Sequence, residues 1–196
     1  MSSEMQKEII EQIEESIATK RLLISEVGKI AKVAESIATS FSRGGKVILF
    51  GNGGSAADSQ HIAAEFVGKY LAERRPLPAI ALTVNTSTLT AIGNDYGYQH
   101  VFERQVNAMC NSQDVVIGIS TSGNSESVIL GMKAAKSKGA LTVGMTGSRK
   151  PNKLAEVADI PIVVPSPVTP RIQECHILIG HIISDIVERR VVAESK

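Results

Sequence analysis

Apolar residues recur along this chain with two different periods. Between Ser3 and Arg43 they fall at Ile9, Ile13 and Ile17, then at Leu22, Leu23, Val27, Ile30, Val33, Ile37 and Phe41, with charged positions between. That is the three-to-four spacing of amphipathic helix, and it predicts two helices before the first strand. Further on, the pattern changes to short unbroken apolar runs: Val47-Ile48-Leu49-Phe50 after Lys46, Ala79-Ile80-Ala81-Leu82, Val115-Val116-Ile117-Gly118-Ile119 after Asp114, Leu141-Thr142-Val143-Gly144-Met145, and Ile160-Pro161-Ile162-Val163-Val164. Each has the length and β-rich composition of a buried strand. The stretches between several of them read as helix, notably Ser127 to Lys138. This alternation predicts an α/β fold, a mainly parallel sheet with helices on both faces. Thr169-Pro170-Arg171 opens a last helical pattern running to Val192, with the threonine expected to cap it and the proline expected at the first helical position.

Composition narrows the class. The 196 residues, 43% hydrophobic and only 4% aromatic, suit one domain with an aliphatic core. Residues 1–196 are read as that single domain, with 1–44 a helical segment and 45–196 the αβα core. A charged leading helix of this kind packs on the sheet or on a partner subunit, and oligomerisation is expected. The net charge of +1, from 21 basic and 20 acidic residues, gives no field to attract nucleic acid or an anionic membrane, so neither is expected as a partner. Any anion must be held by a local site. Cys110 and Cys175 have no C-x-x-C spacing and read as reduced, packed thiols. With a polar, acidic start from Ser2 to Glu15 and no run long enough to span a bilayer, a cytoplasmic location is expected.

Candidate chemistry gathers just after the first strand. Gly51-Asn52-Gly53-Gly54-Ser55 leads into an alanine-rich helical stretch that carries His61 and Glu65. Glycines at a strand's carboxyl end let the backbone turn sharply and approach a ligand, and the free N–H groups of the following helix favour an anion. Ser55 with Asp58 three positions on resembles a capping box. A second loop, Ser120-Thr121-Ser122-Gly123-Asn124-Ser125, follows the third strand; its hydroxyls and amides suit phosphate oxygens, although such residues are also ordinary turn formers. The first loop is neither G-x-G-x-x-G, since Ala56 takes the final position, nor a P-loop, since no Gly-Lys-Ser/Thr follows. On one helix His61 and Glu65 share a face and could bind one divalent ion together.

Gly51 to Glu65, Ser120 to Ser125 and Arg171-Ile172-Gln173-Glu174 together resemble the sugar isomerase (SIS) domain of bacterial phosphoheptose isomerases. The likeness extends to Pro76-Leu77-Pro78-Ala79-Ile80-Ala81-Leu82 and Thr90-Ala91-Ile92-Gly93-Asn94-Asp95-Tyr96, and so to nearly the whole chain. It implies a three-layer αβα sandwich around a five-stranded parallel, flavodoxin-like sheet, with N-terminal helices for oligomerisation. It also implies a homotetramer with interface sites and a role in supplying heptose for lipopolysaccharide core or another surface glycan. The implied reaction converts sedoheptulose 7-phosphate into glycero-manno-heptose 7-phosphate. Lys69 departs from the arginine that many relatives carry, and Pro170 from their usual alanine.

A ketose–aldose interconversion needs a base to carry a proton between C1 and C2, an acid at oxygen and stabilisation of the enediolate. Glu65 is the expected base. The resemblance carries the acid or a metal ligand onto His181, with His176 the alternative acid, and a zinc set onto His61, Glu65, Gln173 and His181. Eight helical residues separate Gln173 from His181 by about 12 Å, so one ion could touch both only with extended side chains, a bent helix or a second subunit. The match further places Asn52, Gly53, Gly54 and Ser55 at sugar and phosphate, Asn94 and Asp95 near hydroxyls, Ser120, Thr121, Ser122 and Ser125 around phosphate, and Gln173 in contact with substrate. Local sequence alone reads Asn94-Asp95 as a plain turn. Two rival readings are a noncatalytic SIS protein that binds the DnaA replication initiator, and an SIS isomerase for another sugar phosphate. The first type lacks a glutamate at the position of Glu65.

Overall fold

The computed structural model describes residues 2–194. Helix α1 (Ser2–Leu22) passes through a short 3-10 turn into α2 (Val27–Ser42), as the helical period predicts. Five strands follow: β1 (Val47–Gly51), β2 (Ala79–Ala81), β3 (Val115–Ser120), β4 (Leu141–Thr146) and β5 (Ile160–Val163). They are interleaved with α3 (Gly54–Val67), α4 (Thr86–Tyr96), α5 (Val101–Met109), α6 (Glu126–Ser137) and α7 (Lys153–Val157), and α8 (Thr169–Glu194) closes the order. All strand pairings are parallel, in the order β2-β1-β3-β4-β5.

The unbroken apolar runs exist because the sheet is covered on both faces. Every residue of β1 and β3 is buried. One face packs Leu49, Ile117 and Val143 against Ile37 of α2, Ile62 of α3 and Ile179 of α8. On the other face, Ile48, Phe50 and Val116 meet Phe102 of α5, Met132 of α6 and Leu154 of α7, with the Phe50 and Phe102 rings stacked at 5.0 Å. Cys110 and Cys175 are both buried and unpaired. No helix among the described residues is long and apolar enough to cross a membrane.

Two features of this layout position the site. The strand order reverses between β1 and β3, so their carboxyl-end loops diverge and leave a crevice, the place where parallel sheets bind ligands. Helices α3 and α8 run in the same direction side by side, with Gly180 of α8 against Ile62 of α3. A Cβ at Gly180 would lie 2.5 Å from Ile62, so only glycine permits this approach. That closeness brings the residues of the two helices face to face.

Two local expectations fail. Helix α8 starts one residue early: Ile172 N donates to Val168 O, so Thr169 is its first helical residue and Val168, not the threonine, occupies the cap position. Asn94 and Asp95 are no turn; they lie in the last helical turn of α4, and the chain reverses only at Gly97, which takes φ 89°.

Candidate active site

The loop after β1 turns at Gly53, whose φ of 55° and ψ of −123° lie where a side chain would be strained. This residue caps α3 without any side-chain hydrogen bond, so the expected capping box does not form. Ser55 is instead buried as the second residue of the helix, and Asp58 receives a hydrogen bond from the Gln173 amide of α8. Burial pushes the Asp58 carboxyl up, against the opposing pull of Gln173 and His61. The amides of Ser55, Ala56 and Ala57 at the start of α3 donate to the backbone carbonyls of Asn52 and Gly53. Asn52 stands beside them with both ends of its amide engaged: Nδ2 donates to Ser127 Oγ at 3.0 Å, and Oδ1 accepts from the Tyr98 hydroxyl at 2.8 Å.

Across the crevice, Ser120 Oγ lies 3.0 Å from Ser125 Oγ and 3.4 Å from Ser122 Oγ. Ser125 is the N-cap residue of α6, yet its hydroxyl makes no cap bond and turns toward Ser120. Gly123, at φ 69°, closes the turn, with its N–H on Ser120 O. Three hydroxyls thus converge in front of a helix N-terminus, an arrangement suited to phosphate. Thr121 extends the same loop, and its carbonyl accepts from Gly147 N.

Deeper along α3, His61 Nε2 is 3.1 Å from Glu65 Oε1 and 2.9 Å from His181 Nε2 of α8. The donor atoms of these three residues all lie within 4.8 Å of one another. At 2.9 Å only one of the two facing nitrogens can carry a proton, so the pair shares a hydrogen or a cation. Two imidazoles and a carboxylate form the donor set of a zinc site that keeps one position open, and Zn–N bonds near 2.05 Å set tetrahedral donors about 3.3 Å apart, close to the spacings here. These three residues fit a divalent ion. Gln173 of α8 donates its amide to Asp58, one turn before His61 on α3, and its Oε1 would lie 3.1 Å from a Cβ at Gly54, at the loop end of that helix.

The remaining candidates divide. His176 is fully buried with neither ring nitrogen hydrogen-bonded, which removes it as the acid that meets substrate. Asn94 donates to Asp95 at 2.8 Å, and both are exposed at the end of α4 without a hydrogen bond to either loop or to the His–Glu cluster among the described residues. Lys69 pairs with Glu73 at the surface. Sequence reading missed Tyr98, Tyr70 and the link between Asp58 and Gln173. For Tyr98 the only signal was its place just after the Gly97 turn; for Asp58 it was the shared helix face with His61.

Residues 8–147 match the family model described as the SIS domain. The phosphoheptose isomerase of Aquifex aeolicus is 52% identical over 85% of this chain and 87% of its own. That of Clostridium acetobutylicum is 51% identical over 93% and 94%. The solved phosphoheptose isomerase of Neisseria gonorrhoeae superposes with a TM-score of 0.88 at 42% identity, covering 94% of this chain and 99% of that one. With the loops, the strand order and the His–Glu cluster in agreement, the chain belongs to the SIS domain family and, within it, to the phosphoheptose isomerases.

Proposed function

We propose that the protein interconverts sedoheptulose 7-phosphate and glycero-manno-heptose 7-phosphate through an enediol, in the cytoplasm, supplying heptose for a surface glycan. The observation that carries this reading is the convergence of His181 of α8 with Glu65 and His61 on the helix that follows the glycine loop of β1, with the Ser120–Ser125 hydroxyl cluster at the end of the neighbouring β3. Ser120, Ser122, Ser125 and the start of α6 hold the phosphate, with Thr121 of the same loop and Gly53, Gly54 and Ser55 of the loop after β1. Asn52, kept in place by Tyr98 and Ser127, meets the sugar, as does Gln173 from α8; Asn94 and Asp95 serve hydroxyls when α4 or a neighbouring subunit brings them near.

Glu65 removes the proton from C1 while the C2 oxygen gains one, giving the enediol. The same carboxyl then returns its proton to C2 as the C1 oxygen loses one, so the aldose forms with no net change in protons. His181 serves the oxygens, and His61 steadies the Glu65 carboxylate. A zinc ion held by His61, Glu65 and His181 would supply charge stabilisation to the enediolate oxygens. Association into a homotetramer, through the apolar face of α1, would enclose sites that a single subunit leaves open.

The test is NMR of the purified, zinc-supplied protein with sedoheptulose 7-phosphate in deuterium oxide. Heptose 7-phosphate carrying deuterium at C2 is expected, with Glu65→Gln slower by roughly 10²- to 10⁴-fold. A folded parent protein that makes no product would reject the reading in favour of a noncatalytic SIS protein or another sugar phosphate.

A further inference from the structure

Between the end of α3 and β2 the chain crosses the surface, and one buried carboxylate sets its path. Glu188 of α8 is 2% exposed and accepts from three successive backbone N–H groups: Tyr70 at 2.8 Å on Oε1, and Leu71 and Ala72 at 2.6 and 2.8 Å on Oε2. Arg74 Nε lies 3.1 Å from Oε1 as an ion pair, with both side chains sealed from water. Burial alone would raise the Glu188 carboxyl, but the three amides and Arg74 outweigh it and hold it below the usual carboxylate range. A buried ion pair is a poor way to stabilise a surface connection, since well-packed apolar residues do as well or better. Its geometry, however, is tightly specified.

What it specifies is the backing of the reacting groups. Arg74 Nη2 donates to the carbonyl of Glu65 at 2.7 Å, and Nη1 donates to those of Gly68 at 2.8 Å and Arg75 at 3.0 Å, so it clamps the end of α3, where carbonyls lack helical partners. The ring of Tyr70, a residue whose backbone N–H donates to Glu188, packs 5.9 Å from the His181 imidazole at a tilt of 34°. Glu188 lies two turns from His181 on the same face of α8.

We propose that Glu188, Arg74 and Tyr70 form a positioning device for the acid–base pair. Glu188 anchors the strap of residues 69–75, Arg74 fixes the backbone that carries Glu65, and Tyr70 restricts rotation of the His181 ring. The assignment rests on the isomerase reading above.

Its test uses single substitutions in the full chain, with steady-state kinetics on sedoheptulose 7-phosphate across neutral pH and hydrogen exchange of residues 69–75. Tyr70→Ala, at a half-exposed position, is expected to fold and to lower kcat roughly ten- to a hundredfold with KM held within about twofold, and to change the pH profile of kcat. Tyr70→Phe keeps the ring and is expected to retain the parent rate and profile. Glu188→Gln, which cannot accept from all three amides, is expected to lose exchange protection at residues 70–72 and to slow kcat as Tyr70→Ala does. A folded Tyr70→Ala protein with the parent kcat and pH profile would overturn the proposal. So would Tyr70→Phe falling as far as Tyr70→Ala, or Glu188→Gln losing strap protection without slowing kcat. Absence of turnover by the parent protein overturns the isomerase reading instead, and the positioning role with it.

Discussion

His176 and His181 share one helix and meet opposite surroundings. His181 faces α3 across the Gly180 contact, while His176 turns into the core beside Ile172, Cys175 and Ile179. Burial pulls the His176 imidazole down to about 4, and a backbone group of Thr146 alongside pulls only weakly the other way. The sign follows from proton counting. Between about pH 6.5 and 4 the unfolded chain binds this proton and the folded one does not, so stability falls as pH falls through that window, by up to about 3 kcal/mol. Thermal unfolding measured across the window should show this slope, and His176→Gln should flatten it. Glu188 acts at a lower pH: its depressed carboxyl contributes stability above the ordinary carboxylate range, which is lost on acidification below it. Which histidine faces His61 and Glu65 was not legible in the sequence, because both sit on the same helical pattern and only packing against α3 distinguishes them.

At the scale of elements, the strands were readable nearly to the residue, since a sheet covered on both faces demands unbroken apolar runs. Starts and ends of helices were less so. The serine three positions before Asp58 has the pattern of a cap, but Gly53 reaches a backbone conformation closed to other residues and begins α3 earlier, freeing Asp58 to bind Gln173. That α3 starts at Gly54, close behind β1, depends on this glycine. Gly53→Ala is therefore expected to cost about 1 kcal/mol or more through backbone strain. It should also weaken binding of inorganic phosphate, so that titration calorimetry reads the binding loss and thermal unfolding the stability loss separately. Asn94-Asp95 misread as a turn for a related reason: turn-forming residue types also end helices, and the reversal was deferred to Gly97.

Over the whole molecule, α1 is the element least accounted for by its own subunit. Arg171 and Glu174 tie it to α8 through Gln12 and Ser16, yet Met5, Ile9, Ile10 and Ile13 remain more than half exposed. A stripe of this kind signals association. Ile9→Asp combined with Ile13→Asp is expected to convert the proposed homotetramer into smaller species by size-exclusion chromatography with light scattering, while circular dichroism stays unchanged. The fold and both strand-end loops were evident from local sequence, whereas the contacts that join them were not, because each pairs residues from distant parts of the chain. The His61–His181 pair spans 120 positions. Closing so long a loop costs chain entropy before any contact compensates, whereas the Ser120–Ser125 turn needs almost none. The three-donor cluster therefore exists only once α8 has docked on α3, so any change that loosens that helix pair separates the donors while leaving both strand-end turns locally intact.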